Sequence, residues 1–137
     1  MATKTYRGSC YCKRVTFEVD VDLQATGTGK CNCTSCWKSR WWAVQVRPEA
    51  FRPLTGVDEL HERRPEVKSG RGGFCKHCGV APYRWVDPAE WNDGAYVSIN
   101  VAALDDLDPA ELAAAPVQYM DGHADSWWSA PAETRHL

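Results

Sequence analysis

Alternating apolar and polar positions are the main local pattern of this chain. Residues 15–21 and 96–101 place apolar, often β-branched side chains at every second position. Because successive side chains of a strand point to opposite faces, both segments are predicted as half-buried β-strands. Shorter runs of strand-like composition predict further strands at residues 4–9, 41–47, 51–56, 60–64, 81–86 and 117–120.

Turn signals separate these runs, and helix signals are few. Residues 66–73 are rich in glycine and are predicted as a hairpin connection, while residues 27–29 are expected to break the pattern. A single helical turn is predicted at residues 37–40. A short helix is predicted at residues 108–112, because Asp-Pro supplies an N-cap and a suitable first turn. Many short strands with little helix predict an all-β fold.

Length and charge narrow the functional classes. With 137 residues, the chain is predicted to form one domain over residues 1–137. A net charge of -2 gives no global basic field for nucleic acid or an anionic membrane. No apolar run reaches the length of a membrane span, and the N-terminal residues lack the apolar core of a signal peptide. We therefore expect a cytoplasmic protein, with neither nucleic acid nor membrane as partner, whose thiols stay reduced.

The seven cysteines divide into a set of four and a set of three. Cys10 and Cys12 are one residue apart, so on an extended backbone they point to the same side. Cys75 and Cys78 are two residues apart and precede Gly79, a spacing typical of a zinc knuckle. Two such pairs complete a tetrahedral thiolate shell. We predict that this four-cysteine cluster holds one structural zinc ion that ties distant parts of the chain together.

The second set, the three-cysteine cluster, consists of Cys31, Cys33 and Cys36 and is one ligand short of a closed tetrahedral site. Its tight spacing suits one soft metal ion better than disulfides. In one interpretation a histidine completes a second structural site. The candidates are His61, His77 and His123. In the other, water or an incoming thiol takes the fourth position. Three thiolates give a divalent ion a net charge of about minus one, which favours thiol–aldehyde chemistry over peptide hydrolysis.

The cysteine motifs, in their order along the chain, resemble those of a known family. Residues 8–12 (Gly-Ser-Cys-Tyr-Cys), 31–36 (Cys-Asn-Cys-Thr-Ser-Cys) and 74–79 (Phe-Cys-Lys-His-Cys-Gly) are similar to the glutathione-dependent formaldehyde-activating enzyme (Gfa-like) family. The resemblance implies an Mss4-like fold of antiparallel sheets around two zinc sites. It assigns the four-cysteine cluster to a structural zinc and the three-cysteine cluster to the other ion. It also implies carbon–sulfur lyase activity, the reversible addition of glutathione to formaldehyde.

Bulky side chains follow the three-cysteine cluster, where the family often has an arginine and small residues. Their rings are expected to narrow a pocket beside the open metal position. We therefore assign substrate binding to Trp37, Arg40 and Trp42, and catalytic metal binding to the three-cysteine cluster. The predicted function is that of a zinc-dependent lyase acting on thiol–aldehyde adducts, with a small thiol such as glutathione as partner.

Three other functional classes can be weighed against the lyase. A non-catalytic zinc module that docks a protein or carries a small thiol explains the cysteines equally well, and a fourth protein ligand would favour it. Nucleic-acid binding is disfavoured because the basic residues are scattered and the net charge is negative. A sulfoxide reductase needs a nucleophilic thiol beyond the metal ligands, and no cysteine follows Cys78.

Overall fold

The computed structural model describes residues 3–62 and 71–137. Within these ranges the chain forms ten β-strands and three short α-helices. The strands are β1 (Lys4–Ser9), β2 (Thr16–Val21), β3 (Thr28–Cys31), β4 (Trp42–Val46), β5 (Phe51–Thr55), β6 (Leu60–Glu62), β7 (Arg71–Cys75), β8 (Tyr83–Val86), β9 (Tyr96–Asn100) and β10 (Val117–Met120). The helices are α1 (Leu23–Thr26), α2 (Thr34–Ser39) and α3 (Pro109–Ala114).

The strands of the described ranges form two sheets. One has three strands in the order β1-β2-β5, and the other has seven in the order β10-β3-β4-β9-β8-β7-β6. The prediction of an all-β fold with little helix is confirmed. Among these strands the pairing is antiparallel except between β10 and β3, which run parallel. β10 reaches β3 from a distant part of the chain, so no hairpin turn imposes an antiparallel direction on this pair.

The predicted alternation appears most clearly in β2. Phe17, Val19 and Val21 are buried, and the residues between them are partly exposed. In β9 the three central residues are all buried, and the strand lies between β4 and β8 in the larger sheet. Both faces of this strand are therefore covered along its centre, and the strict alternation expected of a half-exposed strand is absent.

An aromatic cluster joins the two sheets. The ring of Phe51 on β5 lies 4.7 Å from Tyr83 and 5.2 Å from Trp85, both on β8. The fully buried ring of Phe17 lies 5.4 Å from Tyr83 and covers Gly8 on the neighbouring strand. A β-carbon at residue 8 would overlap this ring, so the close approach of ring and backbone requires glycine.

Several predicted boundaries differ from the structure. Residues 28–31, expected to follow a break, form β3, and Gly29 in this strand lies beside the Met120 side chain of β10. The helix α1, capped by Asp22, was not predicted, because four residues are too few to show a helical period. The helix after Cys33 begins earlier than the predicted turn. Of the predicted hairpin connection, residues 66–70 lie outside the described ranges, as do residues 63 and 64 of the strand predicted at residues 60–64.

The helix predicted at residues 108–112 is present as α3, with the Asp108 carboxylate accepting a hydrogen bond from the Ala110 amide. No helix in the described ranges has the length and apolar character that crossing a membrane requires.

Candidate metal centres and substrate cavity

The four cysteines predicted to share one ion converge. The sulfurs of Cys10, Cys12, Cys75 and Cys78 all lie within 4.8 Å of one another. The Cys12 sulfur is 3.6 Å from those of Cys10 and Cys75, and all seven cysteines of the chain are free thiols. Thiolates about 2.3 Å from a tetrahedral zinc ion lie about 3.8 Å apart. The spacing and chemistry of this cluster therefore fit a tetrahedral zinc ion.

Backbone turns present these four sulfurs. Cys10 follows the last residue of β1, and the Val15 amide donates a hydrogen bond of 3.4 Å to its sulfur. Cys75 ends β7, and the Gly79 amide donates to the Cys75 carbonyl at 2.7 Å. Gly79 has a φ of +82°, a conformation that glycine adopts without strain, so the knuckle turn closes tightly.

The protonation of this cluster is uneven. Burial raises the pKa of the Cys10 thiol to about 11. Hydrogen bonds from the backbone and side chain of Arg14 lower the pKa of Cys12 to about 6. Metal binding therefore has to displace a proton from Cys10 against the effect of burial, whereas Cys12 ionises more readily.

The three-cysteine cluster is built at the junction of β3 and α2. Cys31 ends β3, Cys33 is the N-cap of α2, and the three sulfurs lie within 4.8 Å of one another. The Cys33 amide donates to the Cys31 sulfur at 3.3 Å, and the Cys36 amide donates to the Cys33 sulfur at 3.4 Å. Amides directed at sulfur stabilise thiolates, so this turn is suited to holding a metal ion.

Burial separates the pKa values of these three thiols. It raises the pKa of Cys31, and it raises that of Cys36 to about 12, with the charge of Cys33 acting in the same direction and that of Arg84 opposing it. Burial also opposes ionisation of Cys33, but hydrogen bonds, including one from the Cys36 amide, outweigh it and lower the Cys33 pKa. Cys33 is thus the thiol of the three that ionises most readily.

A turn after β10 packs on this cluster. The 3₁₀ turn Gly122–Ala124 brings Gly122 against the Cys31 sulfur. The Asn32 side chain fixes the turn, because its amide nitrogen donates to Asp121 Oδ1 and its oxygen accepts from the His123 amide, both at 2.9 Å. Residues from the end of the chain therefore shape the surroundings of the cluster.

None of the three candidate histidines joins the three-cysteine cluster in the part of the chain that the structure describes. The ring of His61 packs against Phe74, and His77 Nε2 lies 2.8 Å from a Glu59 carboxylate oxygen. The backbone of His123 bonds to Asn32, but its ring supplies no ligand to the sulfurs. The arrangement does not support the interpretation in which a histidine completes a second structural site.

A cavity of about 230 Å³ opens beside the three-cysteine cluster. Its lining residues are Lys30, Cys31, Cys36, Trp37, Arg40, Trp41, Trp42 and Leu137. All three residues assigned to substrate binding are among them. The Trp42 indole nitrogen donates to Thr28 Oγ1 at 2.8 Å, which anchors the ring. The Trp41 nitrogen donates to buried Ser98, and the Arg84 guanidinium carbon lies 3.9 Å from the Trp41 ring centroid.

Sequence reasoning did not single out Lys30 or Leu137. Lys30 immediately precedes Cys31 and pairs with Trp42 across the β3–β4 ladder, so a register prediction for these two strands would have placed it beside the pocket. No sequence signal near Leu137 indicates that the tail returns to the cluster.

The chain is similar to known proteins in both sequence and fold. Residues 5–121 match a family model described as glutathione-dependent formaldehyde-activating enzyme. The crystal structure of a Rhodobacter sphaeroides protein superimposes with a TM-score of 0.64 at 24% identity, covering 82% of this chain and 99% of that one. No curated protein matches significantly. The family match and the structural likeness confirm the expected Mss4-like fold.

Proposed function

This chain belongs to the glutathione-dependent formaldehyde-activating enzyme family, and on that basis we propose that it is a zinc-dependent carbon–sulfur lyase acting on thiol–aldehyde adducts. In this proposal the four-cysteine cluster holds a structural zinc ion and the three-cysteine cluster a catalytic one. The observation that supports a catalytic role is that three sulfurs converge beside a cavity, with no fourth protein ligand from the described ranges. An open position is what distinguishes catalytic from structural zinc sites.

In this proposal the cysteine sulfurs bind the metal ion, and the aromatic side chains line the cavity. A zinc ion at the three-cysteine cluster would keep an incoming thiol ionised at neutral pH. Cys31, Cys33 and Cys36 would hold that ion, and the amides of Cys33 and Cys36 donate to two of the sulfurs and fix their orientation.

The size of the cavity suits a reaction between small molecules. The substrate sulfur forms a bond to the aldehyde carbon, and the carbonyl oxygen takes up the proton that the thiol loses; the reverse reaction breaks the same bond. The rings of Trp37, Trp41 and Trp42 line this cavity, whose volume of about 230 Å³ suits a small thiol and an aldehyde better than a polypeptide. A reducing compartment such as the cytoplasm would keep both clusters available for metal.

The test is the variant Cys33→Ser compared with the conservative neighbour Thr34→Ser. We expect the wild-type protein to carry two zinc ions and to accelerate exchange between glutathione, ¹³C-formaldehyde and their adduct, followed by NMR. Cys33→Ser should retain one zinc and a folded spectrum but lose the acceleration, whereas Thr34→Ser should behave as the wild type.

Two results would reject the proposal. One is full exchange activity in Cys33→Ser. The other is a wild-type protein with two zinc ions that binds glutathione without accelerating exchange, which would favour a non-catalytic thiol-binding module.

A further inference from the structure

Residues 134–137, from the end of the chain, lie along one wall of the cavity. Leu137 lines the cavity beside the three-cysteine cluster. The segment is closed by a turn in which the Leu137 amide donates to the Thr134 carbonyl at 3.0 Å. Thr134, His136 and Leu137 are partly buried, whereas Arg135 is exposed. One side of this short segment therefore packs on the protein while the other faces solvent.

Three side-chain contacts hold the segment at the site. Lys30 Nζ donates to the main-chain oxygen of Leu137 at 3.1 Å, and Arg40 Nη1 donates to the His136 oxygen at 2.7 Å. The His136 ring packs edge-on against Trp37, with centroids 4.8 Å apart. Lys30, Arg40 and Trp37 all line the cavity, so every one of these contacts fastens the segment to the cavity wall.

The attachment of the segment is weak compared with that of the strands. Within residues 3–62 and 71–137, no backbone–backbone hydrogen bond joins residues 130–137 to another part of the chain. Two of the partners are exposed, Trp37 to 49% and Arg40 at the end of α2. Segments held by a few exposed contacts open locally at a much lower free-energy cost than global unfolding. The segment can therefore leave the cavity wall while both sheets stay folded.

We propose that residues 134–137 form a strap that closes the cavity and has to open before ions or small thiols reach or leave the three-cysteine cluster. The inference rests on the part of the proposed function that places a zinc ion at this cluster, and it does not depend on the lyase reaction. A strap that closes equally over the filled and the empty site changes the rates of entry and exit but leaves the affinity for zinc unchanged.

A competing explanation is that the segment is a fixed part of the wall that supports the metal site. In that case, loss of a contact would disturb the site itself and lower its affinity for zinc. The strap predicts faster exchange at constant affinity, and the fixed wall predicts faster release with a proportional loss of affinity. Measuring rate and affinity on the same variants therefore separates the two explanations.

The test follows the transfer of zinc from the two-zinc protein to the chromophoric chelator 4-(2-pyridylazo)resorcinol by stopped flow. Cys33→Ser, which is expected to lack this ion, identifies the kinetic phase of the three-cysteine cluster. His136→Ser removes the ring contact with Trp37 and should speed that phase about threefold or more. Arg40→Asn removes the hydrogen bond to the strap and should act in the same direction. Asparagine is chosen because residue 40 has a φ of +54°, which asparagine tolerates.

Arg135→Gln is the matched control. Arg135 lies within the strap, but its side chain is 89% exposed and pairs with Glu133 instead of the cavity wall. This variant should release zinc at the wild-type rate. For His136→Ser and Arg40→Asn, competition titration should give a zinc affinity within about twofold of the wild type, and the phase of the four-cysteine cluster should not change.

The outcomes that contradict the strap are distinguishable from a failure of the proposed function. Unchanged release rates in both His136→Ser and Arg40→Asn reject the strap and leave the proposed function standing. Faster release with a proportional loss of affinity assigns the segment to the fixed wall. Equal acceleration in Arg135→Gln attributes the effect to general loosening of the chain end. A wild-type protein that binds a single zinc ion rejects the catalytic zinc site, and the strap with it.

Discussion

Gly122 lies directly against the sulfur of Cys31, so that a β-carbon at residue 122 would come within 2.6 Å of that sulfur. The same β-carbon would lie 2.6 Å from the ring of Trp127. Trp127 is 45% exposed and can move, whereas Cys31 is 6% exposed and fixed at the end of β3. The missing side chain at residue 122 is therefore a requirement of the three-cysteine cluster.

We expect Gly122→Ala to weaken metal binding at the three-cysteine cluster by about fivefold or more, because overpacking of this size costs about 1–3 kcal/mol. The displaced sulfur would no longer share one ion position with Cys33 and Cys36. Competition titration of the metal against a chromophoric chelator measures the affinity of each site.

Gly79→Ala is the matched control, because it should affect the other cysteine cluster. A β-carbon there would meet nothing within 4 Å, but its φ of +82° strains any other residue, so this variant should weaken the four-cysteine cluster instead. If Gly122→Ala weakened both sites equally, the contact with Cys31 would not be the cause.

The sequence was informative wherever the signal is local. The alternation of residues 15–21 identified β2 because one face of that strand is buried, and the cysteine spacings identified both clusters because ligand geometry is imposed by neighbouring residues. β3 was not predicted because glycine usually interrupts a strand, whereas Gly29 lies within a strand beside Met120. The use of glycine there depends on a residue far away in the chain.

The surroundings of the three-cysteine cluster were not predictable for the same reason. The turn at residues 122–124 and the tail oxygens of His136 and Leu137 reach the cluster from more than 85 residues further along the chain. The turn directly follows β10, so its position depends on the parallel pairing of β10 with β3. Single-sequence patterns give the faces of strands but not which distant strands pair.

Cys75→Ser tests whether the four-cysteine cluster holds a metal ion that stabilises the fold. Cys75 is fully buried at the end of β7, and its sulfur lies 3.6 Å from that of Cys12, which follows β1. Because a shared ion links segments far apart in sequence, its loss should lower Tm by more than about 10 °C. Metal analysis should show one zinc ion instead of two, and Cys33→Ser should give a smaller fall in Tm. Two zinc ions and an unchanged Tm in Cys75→Ser would remove the structural assignment.

Gly8→Ala tests the contact between β1 and the aromatic cluster. The added methyl group would overlap the ring of Phe17, which is fully buried. We expect a loss of about 1–3 kcal/mol in the free energy of unfolding, measured with urea. Phe17→Leu removes the clashing ring, so in that background Gly8→Ala should cost much less. An equal cost in both backgrounds would mean that the two residues do not interact.

The ion pair between Asp20 and Arg52 makes the free energy of unfolding depend on pH. The lowered pKa of Asp20 fixes the direction of this dependence. The guanidinium bonds both carboxylate oxygens at 2.9 Å and, with a hydrogen bond from Thr5, lowers the Asp20 pKa to about 2. An unfolded aspartate has a pKa of about 3.9, so the pair stabilises the folded state above that pH. The contribution is lost as the pH falls toward 2. Because both side chains are more than a third exposed, we expect about 1 kcal/mol or less.

Urea unfolding of Asp20→Asn and wild type measures this contribution as a difference, so loss of metal in acid affects both proteins alike. The wild type should be more stable from pH 7 to pH 5, and the difference should narrow between pH 4 and pH 3. High salt should reduce it, because the pair is partly exposed. Glu90→Gln, at an exposed carboxylate, is the control and should show little difference from the wild type at any pH. A difference for Asp20→Asn that grew on acidification would contradict the low pKa assigned to Asp20.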